Sequence, residues 1–390
     1  MMRKRVWMVA ALLVTLGRGL PGQEAPQLPC SDCCPNPPCD GPPPLDRPLR
    51  VTMYYPWWDG VAVQNGNCIP RPKWSDDNTT WDPDDGKAHY HPDFDANGVF
   101  HKCVDLYNDN DPATVRTQLQ RMAAAAINVL VASWWGPWTP EAGKFRDPIR
   151  QAALQVPSVK VTTLFETYGM VKEEDYKKCK LFRDQDGQSL QDCMKLWLDE
   201  MVTWSQGDLS RRFLKFSQRP VLFVYEPGNT SCQRLAQWKQ ALDWVYSRKG
   251  VRPFLVVDMA NDIQSRCSNW SLSDFAFFEY APGSPSNINY YAEMVAGGQR
   301  QTQTLWPGYW PRGTVCDVPE PPACPLVPRL SPSSWQRLVN YANTRRPTYF
   351  QIITSWNEWN EMTSVEPMTK FPSPSGLGQY LDVLAQFPLY

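Results

Sequence analysis

The sequence lacks a charge excess of either sign. Its 390 residues carry 39 Lys and Arg against 40 Asp and Glu, a formal net charge of −1 at pH 7. Neither nucleic acid nor an anionic membrane surface is therefore an expected partner. Beyond the N-terminal segment there is no apolar run near the about 20 residues that a membrane span needs. Internal repeats are absent, and no Gly-rich phosphate turn follows the first β-type run, which counts against a dinucleotide-binding fold. Metal ligation is also poorly supported. The cluster "CSDCCPNPPC" (Cys30, Cys33, Cys34, Cys39) has adjacent cysteines, poor zinc spacing, and no nearby His. The stretch "DFDANG" (Asp93, Asp95, Asn97, Gly98) starts like a calcium loop but has Val104 where the bidentate Glu belongs. An Asx-rich turn is the plainer reading. No cofactor is expected.

The N-terminus, "MMRKRVWMVAALLVTLGRG", joins a basic start to a short apolar run and small residues, the pattern of a secretory signal. A retained anchor is the alternative. Twelve cysteines, an even number, fit an oxidising compartment. Short local bridges, Cys179 to Cys193 and Cys316 to Cys324, are plausible, although spacing cannot fix connectivity. Sequons at Asn78, Asn229 and Asn269 suit a glycoprotein that is secreted or held in the lumen of the secretory pathway. Residues 23–48 form a proline- and cysteine-rich lead-in. The expected division is thus a signal over 1–22, the lead-in over 23–48, and a catalytic domain over 49–390.

From Leu49 onward eight short β-type runs recur: "RVTMYY", "INVLVASW", "VKVTTLFE", "PVLFVYE", "RPFLVVDMA", "DFAFFEYA", "TQTLWPGYW" and "TYFQIITSW". Amphipathic helical patterns separate several of them. Asp111 and Pro112 open one with a stripe of Val115, Leu119, Met122 and Ala126. Another carries Leu235, Trp238, Leu242 and Val245 and stops at Gly250. A third carries Trp335, Leu338, Val339 and Ala342. Continuous apolar strands alternating with helices argue for a parallel sheet buried on both faces. Eight of them predict an α/β fold, a (β/α)8 TIM barrel with disulfide-bearing loop insertions.

Active sites of such barrels lie at the C-terminal ends of the strands. Those ends carry Tyr54, Tyr55, Trp57 and Trp58; Trp134 and Trp135; Glu166 and Tyr168; Tyr225 and Glu226; Asp258; Glu279 and Tyr280; Tyr309 and Trp310. The last run ends in the hexapeptide "WNEWNE", Trp356 to Glu361. Rings to stack on sugars and acids to move protons are what a glycosidase cleft requires. Each alone has a plainer explanation, since aromatics fill cores. Glu358 and Glu361 form the sharpest pair: in a tight or helical turn, i and i+3 Cβ atoms lie about 5–6 Å apart. That brackets the carboxyl separation of about 5–5.5 Å used in retaining glycoside cleavage. Trp356 and Trp359 could desolvate one carboxyl, while Asn357 and Asn360 could hold the other ionised. Glu366, in "SVEP", is a third candidate.

The motifs "YYPWW", "VLVASWWGPW", "LFETYG" and above all "SWNEWNEMTSVEP" resemble glycoside hydrolase family 99, the endo-α-mannosidases, and its broader relatives. The resemblance runs from about Leu49 to the end of the chain. It implies a (β/α)8 barrel that cleaves internal α-mannosidic (α-1,2-type) bonds with retention and without an enzyme nucleophile. In that mechanism the sugar 2-hydroxyl, deprotonated by one Glu, attacks its own anomeric carbon. Carried over by motif, Glu358 is the base and Glu361 the acid/base. Glu166, Trp134 or Trp135, Tyr55 and Tyr280 are then expected as substrate contacts. Trp57, Tyr168, Glu279, Trp310, Trp356, Asn357 and Glu366, from the strand ends and the segment around the glutamate pair, complete the expected substrate-binding set. His89 or His91, the latter favoured, matches the family's sugar-binding His. The chain departs from the family at Asn360 and Met362, where relatives carry His and Gly. Two other readings stay open: an extracellular glycan-binding barrel without activity, and a glycosyl-transferring relative. The first has no need of an acid and base pair, and the second lacks a nucleotide-phosphate motif.

Overall fold

The computed structural model describes residues 47–56, 108–137, 139–166, 189–225, 232–258, 267, 274–278, 280, 302–308, 330–345, 347–358, 363–367 and 371–389, with the backbone of 61–64, 67–70, 81–82 and 87–88. All described residues belong to one compact unit, residues 40–390.

Eight parallel strands form its core: β1 (Leu49–Tyr54), β2 (Val129–Trp134), β3 (Lys160–Glu166), β4 (Arg219–Tyr225), β5 (Phe254–Asp258), β6 (Phe275–Phe278), β7 (Thr302–Leu305) and β8 (Phe350–Ile353). Their order is β6-β5-β4-β3-β2-β1-β8-β7. All seven ladders along this order are parallel. The Thr302 hydroxyl donates to the Phe277 carbonyl, linking β7 back to β6. The result is a nearly closed (β/α)8 barrel. Two short antiparallel hairpins, Val61–Gln64 with Asn67–Pro70 and Trp81–Asp82 with Lys87–Ala88, lie between β1 and the first helix.

Three expected helices form where their patterns place them: α1 (Pro112–Ala124), α3 (Cys232–Lys249) and α4 (Pro332–Asn343). Asp111 caps α1 by accepting from the backbone N–H groups of Ala113 and Thr114 at 3.0 and 3.2 Å. Ala126 does not complete the α1 stripe. It lies past the helix end with φ 55°, and Ala125 takes the buried position. Gly250, at φ 66°, ends α3 in the left-handed conformation that glycine adopts without penalty. Two further helices are α2 (Ser189–Gln206) and α5 (Gln379–Gln386). Another helical segment, Pro140–Gln155, contains a π-turn over Phe145–Ile149 that accommodates Pro148.

Side chains alternate across each strand with a period of two. Leu130, Ala132, Trp134, Phe165, Val224 and Val257 face outward into a layer shared with Trp197 of α2 and Trp238 of α3. Val51, Met53, Val129, Val131, Leu164, Phe223, Val256, Phe278 and Ile352 fill the barrel interior. Its N-terminal end is plugged by Phe216, from a short strand antiparallel to β4, stacked on Phe350 at 5.5 Å.

The outer layer also buries a charge. Arg50 donates from Nε to Gln351 Oε1 and from its two terminal nitrogens to the carbonyls of Leu384 and Phe387, each at 2.8 Å. Gln351 in turn donates to Gln303 and Asn343. This network ties β1, β7 and β8 to α4 and to the end of α5. Burial lowers the guanidinium pKa to about 10, so the cation persists at neutral pH. Arg50→Met should lower unfolding stability by roughly 3 kcal/mol, because it strands buried acceptors. Arg50→Lys should restore little, since an ammonium cannot reproduce the planar fork. Denaturant titration of the three proteins checks both expectations.

Candidate active site

The interior columns change character at their C-terminal ends. Val129 and Val131 lead to Ser133, Leu164 to Glu166, Phe223 to Tyr225, Val256 to Asp258, Phe278 to Tyr280, and Met53 to Tyr55. Each inward column therefore ends in a polar or amphipathic side chain. Register aligns these ends, pairing Glu166 with Tyr225, Tyr225 with Asp258, and Asp258 with Phe278.

A hydrogen-bond framework fixes the rim. Ser133 Oγ donates to Glu166 Oε1, and Trp135 Nε1 donates to Ser133 Oγ, both at 2.8 Å. The Tyr55 and Tyr280 hydroxyls meet at 2.5 Å. Asp258 Oδ1 accepts from the Tyr280 N–H at 3.0 Å. Trp306 Nε1 donates to the Tyr280 carbonyl, and the Tyr225 ring meets Tyr280 edge-on at 4.9 Å.

Glu358 enters from the loop after β8, which is not helical through this residue. The Glu358 N–H donates to Ser355 Oγ at 2.8 Å, and its carbonyl accepts from the Thr363 N–H at 3.3 Å. Only 2% of the residue is exposed. Its neighbour Asn357 has its side-chain amide engaged by backbone: Oδ1 accepts from Tyr55 N–H at 2.7 Å, and Nδ2 donates to Tyr55 O at 2.9 Å. Asn357 thus fixes Tyr55 against the Glu358 loop.

Glu166 is the perturbed acid. Burial, opposed by the Ser133 hydrogen bond and reinforced by the negative charges of Glu358, Asp258 and Glu141, raises its pKa to about 8. At neutral pH it holds its proton and offers an O–H donor beside Glu358.

Several expected residues take other places. Trp134 is fully buried in the outer layer, stacked on Phe165 at 5.6 Å. Strand alternation points it away from the interior, so Trp135 is the ring on the site side. Trp356 is likewise fully buried in the outer layer. Glu366 lies under 5% exposed, and its charge acts on Tyr54, an outer-layer phenol that hydrogen-bonds Asp109 and Gln118 at 2.6 Å. Tyr55, Trp135, Glu166, Tyr280 and Glu358 come together at the rim. Glu361, Trp57, His91, Tyr168, Glu279 and Trp310 lie outside the described residues, as do Trp359, Asn360, Asp93, Asp95, Asn97 and the three sequons. The sequence reading missed Ser133, Ser355 and Trp306.

No family model matches the chain. Among solved structures, the GH99 endo-α-mannosidase from Bacteroides thetaiotaomicron in complex with bis-tris propane matches 87% of this chain and 95% of its own, with 17% identity and TM-score 0.52. Another structure of the same description covers 87% and 96% at 16% identity, TM-score 0.50. A glycoside hydrolase-like protein covers 92% and 98% at 11% identity, TM-score 0.53. The likeness is one of fold.

The charge state of Glu166 has a consequence for stability. In the unfolded chain this carboxyl loses its proton near 4.5, and in the folded protein near 8. Between those values the folded state holds the extra proton, so this group makes stability fall as pH rises. The slope approaches about 1.4 kcal/mol per pH unit within that window. Glu166→Gln should remove this component, and melting curves recorded across the window will show a shallower decline in the variant than in the wild type.

Proposed function

We propose that the protein is a retaining glycoside hydrolase acting on internal α-mannosidic, α-1,2-type, bonds of glycans. The observation that carries this reading is the buried Glu358 in electrostatic contact with a raised-pKa Glu166 at the C-terminal rim of the barrel. Active sites of this fold occupy that rim. The fold shared with the endo-α-mannosidase and with the glycoside hydrolase-like protein supports the same class.

In this mechanism Glu358 removes the proton of the sugar 2-hydroxyl. The resulting oxygen attacks the anomeric carbon as the glycosidic bond breaks. Glu361 gives its proton to the leaving oxygen, and a 1,2-anhydro sugar forms. Glu361 then takes a proton from water, which opens the three-membered ring, and Glu358 returns the first proton to the 2-oxygen. Glu166 donates its O–H to a sugar oxygen, Trp135 offers a stacking face, and the Tyr55–Tyr280 pair lines the same rim. Neutral Glu166 adds hydrogen bonding beside Glu358 without adding a second negative charge.

Secretion or residence in the secretory lumen fits the Cys232–Cys267 disulfide. Cys193 is also disulfide-bonded, and its expected partner Cys179 lies outside the described residues. No helix among the described residues is long and apolar enough to cross a membrane.

The test is incubation with α-1,2-linked mannosyl and glucosyl-mannosyl oligosaccharides, with product release followed by chromatography. Wild type should cleave, and Glu358→Gln and Glu361→Gln should each lose about 10²–10⁴-fold in rate while retaining glycan binding. Glycan binding without cleavage by the wild type would replace this reading with that of a binding barrel.

A further inference from the structure

We propose that Ser133 is a positioning residue that joins the Trp135 ring and the Glu166 carboxyl into one mechanically coupled unit. The functional meaning of this unit rests on the reading of the rim as a glycan site, whereas the coupling itself does not.

Ser133 is the last inward position of β2, following Val129 and Val131, and it is 1% exposed. A serine hydroxyl has one proton and two lone pairs. Here the proton is given to Glu166 Oε1 and a lone pair receives the Trp135 indole N–H. The three groups therefore form a directed chain from indole N–H to hydroxyl to carboxyl. With Oε1 accepting from Ser133, the proton of neutral Glu166 resides on Oε2, the oxygen left to address a ligand. The ring of Trp135 is oriented by the same hydroxyl that orients the carboxyl. A sugar that stacks on Trp135 and accepts from Glu166 would meet two groups whose spacing is set by one small side chain.

The charged groups acting on Glu166 come from three other elements: Glu358 after β8, Asp258 at the end of β5, and Glu141 on the helical segment after β2. Among the described residues, Ser133 is the side chain that hydrogen-bonds both Glu166 and Trp135. The coupling therefore runs through Ser133, and removing its hydroxyl should separate ring from carboxyl.

The experiment uses the full chain with ¹⁵N-labelled tryptophan. The indole signal missing from Trp135→Phe assigns Trp135, and its shift is followed through the Glu166 transition near pH 8. In the wild type the signal should move with an inflection at that transition. In Glu166→Gln the inflection should vanish. Ser133→Ala should abolish it, whereas Ser133→Thr, which keeps the hydroxyl, should retain it. An inflection that persists in Ser133→Ala, or in Glu166→Gln, overturns the proposal. Should the alanine variant fail to fold, the glutamine and threonine variants decide alone: loss in the first with retention in the second supports the coupling, and any other pair of results overturns it. With cleavage established, Ser133→Ala should also shift the alkaline limb of the rate profile to higher pH, because the lost hydrogen bond is one that lowers the Glu166 pKa. A wild type that cleaves nothing counts against the functional reading alone, since the indole titration needs no turnover.

Discussion

The seam between the first and last strands is the constraint on which the rest of the barrel depends. A closed sheet must join its two chain ends in register, and here the join is fixed at both levels. Near its N-terminal end Arg50 of β1 reaches Gln351 of β8. At the rim the Trp356 N–H donates to the Met53 carbonyl at 2.7 Å, and Asn357 holds both backbone groups of Tyr55. Because the side-chain period is two, a slip of one residue along this seam would exchange the inner and outer faces of β1. The same clamp sets Tyr55 and the Glu358 loop side by side. Closure and site construction are thus one event.

Above that seam the interior becomes polar over a single layer. Below it, Met53, Val131, Leu164, Phe223 and Val256 pack without polar atoms on their side chains. One step further along each strand pair, Tyr55, Ser133, Glu166, Tyr225 and Asp258 take over. A carboxyl placed on such a floor loses water on one side, which is why burial is the leading cause of the raised Glu166 pKa. Neighbouring carboxyls from other strands reinforce the shift. The barrel thereby turns a common residue into a neutral donor by position alone.

Much of this was legible in the chain. Eight apolar runs separated by amphipathic stripes led directly to the barrel, and the caps at Asp111 and Gly250 stand where their chemistry demands. The stripe of Met194, Trp197, Leu198, Met201 and Val202 in α2 is equally helical, yet it follows a highly charged stretch and was passed over. At the rim the limit was parity. Reading whole strand ends collects both faces, so Trp134 entered the expected site with Trp135, and Ser133 did not. Counting forward by twos from Val129 would have separated them. Asn357 could not have been read correctly from sequence, because its partner is backbone about 300 residues away in the chain, brought near only by closure. The Cys232–Cys267 bond shares that difficulty, since it spans a separation of 35 residues and neither of the short local pairs anticipated it.

The fold is shared with an endo-α-mannosidase at 17% identity, a level at which architecture persists while chemistry is decided by individual side chains. In the function proposed for this chain those side chains are Glu358, Glu166 and the framework around them. The most direct measurement is the anomeric configuration of the first-formed sugar, followed by proton NMR during cleavage of an α-mannosidic glycan before mutarotation intervenes. The account predicts release of the α-anomer, the retained configuration. Release of the β-anomer would contradict it.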